Sequence, residues 1–418
     1  MSALRSYALV TFAYWAFTLT DGALRMLVLL HFHELGYTPV ELALLFLFYE
    51  FFGVVTNLFG GWLAARMGLR VTLLGGLALQ AVALTMLSFV GPAWSVAPSV
   101  AYVMAAQALS GIAKDLTKMS SKSSIKVMLP ADATSSLFKW VAILTGSKNA
   151  LKGAGFFLGG LLLTSLGFRP ALWSMAGALV LVLVGCVLSL PAEMGKAKNR
   201  PRFSTLFSKS RDINVLAAAR FFLFGARDIW FVVGVPVFLS VRLGWGFTEI
   251  GAFLALWVVG YGAIQSVAPA LIRRWTRGSA PGGKAALVLA VLLAATSAAM
   301  AVGIVSEISP TTMLILGLAV FGAIFAVSSS VHSYLILAYS DGDKVAMNVG
   351  FYYMANAGGR LAGTLLSGVL YEAAGITGCL SGTLAFCIAT VAISALLPRA
   401  ATKGMDTTTA SDKCPKPL

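Results

Sequence analysis

The chain has 418 residues, 58% of them hydrophobic and 11% charged, with Lys+Arg 31 against Asp+Glu 16 and a formal net charge of +15. A soluble globular protein carries roughly 25% charged residues, so this composition argues against a water-facing enzyme, and its high hydrophobicity excludes intrinsic disorder. Long apolar runs interrupt the cations, so the basic excess reads as that of a membrane protein, with no nucleic-acid partner.

A membrane helix takes about 20 predominantly apolar residues. In chain order the first half offers Tyr7–Leu30, Val40–Ala64, Val71–Val90, Pro98–Leu116, Leu137–Leu166 and Ala171–Leu190. The second half offers Val215–Val241, Phe247–Ile272, Ala285–Ser306, Thr311–Ala338, Val345–Tyr371 and Ile376–Leu397. The fold class expected is therefore an all-α membrane protein of twelve transmembrane helices. Residues 1–190 and 215–397 form two six-helix bundles, joined by a polar, basic linker over 191–214 and followed by a disordered tail over 398–418. The segment Met1–Ser6 runs straight into the first span without a small-residue cleavage site, so that span is expected to stay as a membrane helix.

Loops on the side of the N-terminus carry the Lys and Arg residues, among them Arg66, Arg70, Lys122, Lys126, Lys139, six in the linker, Arg273, Arg274 and Arg277. The other side shows Arg169 and Arg242. The positive-inside rule then puts both termini in the cytoplasm of a cell (inner) membrane.

The halves read as copies. A shift of 208 residues places Leu35-Gly36-Tyr37 and Glu41 on Leu243-Gly244-Trp245 and Glu249. The same shift places Asn57 on Gln265, Arg66 on Arg274, Lys152 on Arg360, Gly155 on Gly363, Gly160 on Gly368 and Gly167 on Gly375. Two pseudo-symmetric six-helix halves resemble the plan of the major facilitator superfamily, which implies a substrate site near the midplane between them.

The loop after the second span strengthens that resemblance. It reads Gly61-Trp62-Leu63-Ala64-Ala65-Arg66-Met67-Gly68-Leu69-Arg70, similar to the superfamily's loop signature at Gly61, Arg66, Gly68 and Arg70, with Ala65 where the family has an acid. The fifth span contains Gly155-Phe156-Phe157-Leu158-Gly159-Gly160, which resembles the antiporter signature with Phe156 in place of proline. Its small residues equally serve close helix packing. Gln107 stands where the family often has a fourth-span arginine.

Other chemistries are not indicated. The sequence has no GxxxxGK[ST], HExxH or GxSxG. Cys186, Cys379, Cys387 and Cys414 have no paired spacing, so neither a disulfide framework nor a metal site is expected. No cofactor and no enzymatic activity are expected.

Charges inside spans mark function by default. This chain places Asp21, Arg25, Glu50, Lys114, Asp115, Lys148, Lys152, Arg220, Arg227, Asp228 and Arg360 there. Asp21 and Arg25 are four apart and can pair, whereas Arg227 and Asp228 are adjacent and expected to diverge. Lys148 with Lys152, and Lys114 with Lys118, put like charges on one helix face, where repulsion favours an anion between them. An anion cavity is expected, with Arg25, Arg227 and Arg360 as oxyanion forks and the lysines as point charges. Tyr353 and Asn356, next to Tyr352, are candidate hydrogen-bonding partners. Asp21, Glu50, Asp115 and Asp228 are proton-site candidates or counter-ions. Arg220 is divided between this role and snorkelling. His31 and His33 fall at the outer end of the first span and read as surface groups, not as a relay. Phe46, Phe48, Tyr49, Phe51 and Phe52 read as lipid-facing.

The stretches TDGALRMLVLLHFHELGY, QALSGIAKDLTKMSSKSSIK, FKWVAILTGSKNALKGAGFFLGG and RFFLFGARDIWFVVGVPVFL are similar to the organoarsenical efflux transporters of the superfamily, the ArsJ type. That resemblance implies export of 1-arseno-3-phosphoglycerate, the unstable product formed when glyceraldehyde-3-phosphate dehydrogenase uses arsenate. It implies arsenate resistance, alternating access, proton antiport and a monomer. A sugar-phosphate or phosphate exchanger would use the same cationic cavity. A membrane-embedded sensor or enzyme is the alternative from another class.

Overall fold

The computed structural model describes residues 3–91, 93–128, 134–191, 210–277, 281–306, 310–340 and 345–399, with the side chains of 3–5, 7, 60–66, 122–146, 310, 337 and 345–347 outside the description. Gly61, Arg66, Lys122, Lys126 and Lys139 therefore lie outside the described side chains, as does the linker of 192–209.

The first half comprises α1 (Ala3–Glu34), α2 (Pro39–Leu45), α3 (Leu47–Met67), α4 (Leu69–Leu87), α5 (Val96–Met128), α6 (Thr134–Leu166) and α7 (Phe168–Ser189). The second comprises α8 (Arg211–Ile229), a π turn (Trp230–Gly234), α9 (Val235–Leu243), α10 (Phe247–Trp275), α11 (Gly283–Val305), α12 (Pro310–Ala338) and α13 (Val345–Ser394). The helix α13 breaks at Ala374 and Gly375, where the eleventh and twelfth spans were expected to part. Counting α2–α3 and α8–α9 as one rod each, and α13 as two, the described residues form twelve rods. Among the described residues nine helices are long and apolar enough to cross a membrane, α13 counting once. The helices α1 and α6, of 32 and 33 residues, carry charges in their middles.

Two spans are less regular than the apolar pattern suggested. The second breaks at Phe46, just before the charged Glu50. The seventh contains the π turn directly before Pro236. Proline has no N–H to continue the ladder, so the turn widens. Ser367 Oγ of α13 accepts from the backbone N–H groups of Val233 and Gly234 there, at 3.1 and 3.2 Å.

The 208-residue repeat is visible in the backbone. Gly36 and Gly244 have φ of +85° and +65°, and Gly167 and Gly375 have φ of +80° and +61°. This left-handed conformation strains residues with a Cβ. Glu41 caps α2 through the Thr38 N–H at 2.8 Å, and Glu249 caps α10 through the Gly246 N–H at 2.8 Å. A Cβ on Gly160 would lie 2.3 Å from the Phe247 carbonyl, and one on Gly368 would lie 2.4 Å from that of Pro39. Each of these pairs is related by the same offset.

Those last contacts join the halves on the side away from the termini. There α6 packs on α10 and α13 packs on α2 and α3. Val40 N–H donates to Glu372 at 3.2 Å, and Thr164 and Thr248 hydroxyls lie 3.1 Å apart. The glycines of the fifth span serve packing: a Cβ on Gly155 would meet the Leu19 carbonyl at 2.5 Å and Gly22 at 3.0 Å. That close approach draws α6 against α1 and brings its lysines toward the centre.

Candidate functional site

Six rods deliver the interior charges. Asp21 and Arg25 come from α1, Glu50 from α3, and Lys114, Asp115 and Lys118 from α5. Lys148 and Lys152 come from α6, Arg227 and Asp228 from α8, and Arg360 from α13.

An alternating ion chain runs between the halves. Arg25 Nη1 lies 3.4 Å from Glu50 Oε1, and the same oxygen accepts from Arg360 Nη2 at 2.5 Å. Arg360 Nε donates to Asp228 Oδ2 at 3.1 Å, and Arg227 Nε donates to Asp228 Oδ1 at 2.6 Å. Glu50 and Asp228 are buried, at 0% and 1% exposure. Buried ions must be paired to be tolerated, and here each carboxylate lies between two arginines. Arg25 Nη2 and Glu50 Oε2 remain buried without a hydrogen-bond partner.

Two expected pairings are corrected. Arg25 pairs with Glu50, not Asp21, because α3 presents a carboxylate directly across from it. Asp21 instead accepts from the Tyr49 hydroxyl at 2.7 Å. Arg227 and Asp228 do not diverge: they form an ion pair, the arginine side chain being long enough to reach the carboxylate of the next residue.

The lysines on α5 do not act as one repelling pair. Lys118 Nζ is 2.6 Å from Asp115 Oδ1 and 2.9 Å from Asn57 Oδ1. Asp115 also accepts from Thr56 at 2.8 Å and Asn57 at 3.2 Å. Lys114 Nζ sits 3.9 Å above the Tyr49 ring, a cation–π contact. Lys152 Nζ lies 5.7 Å from the Phe156 ring centroid and has no ion pair among the described residues. It lies within electrostatic range of Asp21, Arg25, Arg227 and Arg360. Around the centre five cations (Arg25, Lys114, Lys152, Arg227, Arg360) face three carboxylates (Asp21, Glu50, Asp228), which leaves the cluster positive.

Arg220 is buried, not snorkelling, at 4% exposure. Its Nε donates to Asn356 Oδ1 at 3.2 Å and its Nη1 to Ser329. Asn356, expected near substrate, is thereby engaged. Lys118 Nζ stands 5.8 Å from the Tyr353 ring. The aromatic run divides. Phe48 and Phe51 are 39% and 46% exposed, whereas Phe46 and Tyr49 are buried at 1% and 5%. Those two face Arg25 at 5.2 and 5.8 Å, so their assignment to lipid is corrected.

Sequence reasoning missed two participants. Phe224 holds Arg220 at 3.9 Å and Arg227 at 5.3 Å from its ring. Its place between arginines at i−4 and i+3 on one helix face was the available signal. His332 is wholly buried with neither ring nitrogen partnered, within electrostatic range of Arg220. The polar run Ser328-Ser329-Ser330 just before it in an apolar helix could have flagged it.

Of the loop signature, Gly68 adopts φ 89° at the start of α4. Arg70 Nη2 donates to the Val187 carbonyl at 2.8 Å, so this arginine does grip a neighbouring helix end. His31 is less of a surface group than expected, stacking on Phe168 with centroids 4.0 Å apart.

The sequence profile of the Major Facilitator Superfamily matches residues 10–282. No curated protein matches the chain. Among solved structures, a point mutant of the nucleoside transporter NupG superposes with a TM-score of 0.69 at 16% identity, covering 93% of this chain and 98% of that one. At that identity the likeness is one of fold. With its two six-rod halves, its interior charge cluster and a family match over more than half its length, the chain belongs to the major facilitator superfamily and is a membrane transporter, not an enzyme.

Proposed function

We propose that this chain exports an organic anion from the cytoplasm, 1-arseno-3-phosphoglycerate, and so confers arsenate resistance. The observation that carries the anion is the positive excess at the boundary between the halves, where Lys152 lacks an ionic partner among the described residues and Arg25 keeps an unused donor. Interior charge is expensive in a membrane protein and signals function. The proposed cargo bears phosphate, carboxylate and arsenate groups, and planar oxyanions suit arginine forks. The resemblance to the ArsJ-type transporters supplies the arsenical. Lys and Arg loop bias supports cytoplasmic termini in the cell membrane, and the transporter works as a monomer.

Transport proceeds by rocking of the halves about the central site. The substrate docks from the cytoplasm on Lys148, Lys152, Arg227 and Arg360, and competes with Glu50 and Asp228 for their arginines. Glu50 is the best-placed coupling acid among the four candidates. Its Oε1 bridges the halves, and its Oε2 is an unused buried acceptor that can take a proton. Either an anion competing for Arg360 and Arg25 or a proton on Oε2 breaks this lock, so cargo opens the boundary in one direction and a proton in the other. Asp21 and Asp115 serve as hydrogen-bonded counter-ions. Glyceraldehyde-3-phosphate dehydrogenase is the functional partner that makes the cargo.

The test is uptake of the arsenylated phosphoglycerate into everted vesicles, with and without a pH gradient. Gradient-driven uptake supports the reading. Uptake that instead needs phosphate on the opposite side would make the chain a phosphate exchanger. No uptake in either format refutes the arsenical assignment.

A further inference from the structure

The pseudo-symmetry of the halves is broken at their charged contacts: the offset carries the Arg360–Asp228 pair onto Lys152 and Thr20 and the Arg25–Glu50 pair onto Val233 and Val258. The break at Lys152 identifies where cargo binds. Arg360 of α13 meets Glu50 of α3 across the boundary at 2.5 Å. The 208-residue offset, which relates the glycine turns, the helix caps and the Gly160 and Gly368 contacts, carries Arg360 onto Lys152 and Glu50 onto Val258. The contact between α6 and α10 thus keeps the cation and lacks the carboxylate. Val258 is a buried apolar residue at 7% exposure. Its neighbours on α10 approach α6 beside Lys152: a Cβ on Gly153 would lie 2.8 Å from the Ala255 carbonyl and 2.9 Å from Val259 Cγ2.

The groups around Lys152 do not make up the deficit. Arg360, Arg25 and Arg227 are cations, and each already belongs to the ion chain. Asp21 is the carboxylate on the neighbouring helix, and it accepts the Tyr49 hydroxyl at 2.7 Å. Glu50 also acts on Lys152 electrostatically, but its Oε1 is held by Arg25 and Arg360. A lysine with cationic neighbours and no ion pair is stabilised by an anion brought in from outside.

We infer that Lys152, against the Val258 face of α10, seats one oxyanion group of the cargo, phosphate-like or carboxylate, at the place where the other half has its own Glu50. The inference rests on the anion-transport reading and deepens it. Arg360 is served by a resident carboxylate, so one half carries its own counter-ion and the other receives it from the substrate. The cargo then acts as the missing partner of the α6–α10 contact and completes the boundary only when loaded.

The test supplies the missing carboxylate. Purified full-length protein in detergent is melted with and without inorganic phosphate, and again with 3-phosphoglycerate. Wild type should be stabilised by these probes. Val258→Glu should weaken the anion-induced shift at least tenfold more than Val258→Gln, which has the same size without the charge. It should also raise the melting temperature of the ligand-free protein. Equal anion response in the Glu and Gln variants would overturn the inference while leaving anion transport standing. If wild type responds to neither probe, the anion reading itself falls, and the inference with it. Should Val258→Glu fail to fold, Lys152→Met against Lys152→Arg decides: a Met variant that keeps the wild-type shift overturns the assignment, and one that loses far more than Arg supports it.

Discussion

Glu50 of α3 and Arg360 of α13 meet across the two halves, with Oε1 accepting from Nη2 at 2.5 Å, while Oε2 of the same carboxylate has no partner. One oxygen therefore locks the halves together, and the other is available to a proton. Opening the boundary must break this contact, and an anion that reaches Arg360 competes for the same guanidinium.

Glu50→Gln removes the charge but keeps the shape. The substituted protein should still bind anions, with affinity raised several-fold because the resident competitor is neutral. Its uptake into everted vesicles should no longer respond to a pH gradient. Unaltered gradient dependence would take the coupling role away from Glu50.

Asp21→Asn should behave differently. The Tyr49 hydroxyl can donate to an amide oxygen as it does to the carboxylate. Fold and pH dependence should both be close to wild type when measured in the same vesicles. A loss of pH response here would move the coupling site from α3 to α1.

Arg360→Gln strands two buried carboxylates, Glu50 and Asp228. Removing one partner of a buried pair costs about 3–5 kcal/mol, so the melting temperature should fall and arsenate resistance should be abolished. Lys152→Gln strands no paired carboxylate. It should abolish resistance with little change in melting temperature and normal membrane insertion. Full resistance in either variant would refute the anion site.

Gly155→Leu tests the packing that places the site. A Cβ there would sit 2.5 Å from the Leu19 carbonyl, so α1 and α6 must separate. Overpacking of this kind typically costs about 1–3 kcal/mol, occasionally more. The variant should accumulate poorly and lose its monodisperse peak in size-exclusion chromatography. Wild-type behaviour would mean that this close approach is not needed.

By itself the sequence determined the rods, the repeat and the inventory of interior charge. Apolar length sets the spans, the 208-residue offset is a property of residue order, and a cation in an apolar run is visible without coordinates. Helical period also places residues on faces, which is why Lys152 and Arg360 could be singled out. Tertiary structure decided the pairing. Asp21 and Arg25 satisfy the i,i+4 spacing, yet each takes a partner from α3, because helix–helix distance depends on close approaches such as Gly22 to Gly155 and on the break at Phe46. Spacing along one helix says nothing of what a neighbouring helix presents. For the same reason Tyr49 and Phe46, which a linear reading gives to lipid, face Arg25, and the vacancy opposite Lys152 emerges only when the two halves are compared in space.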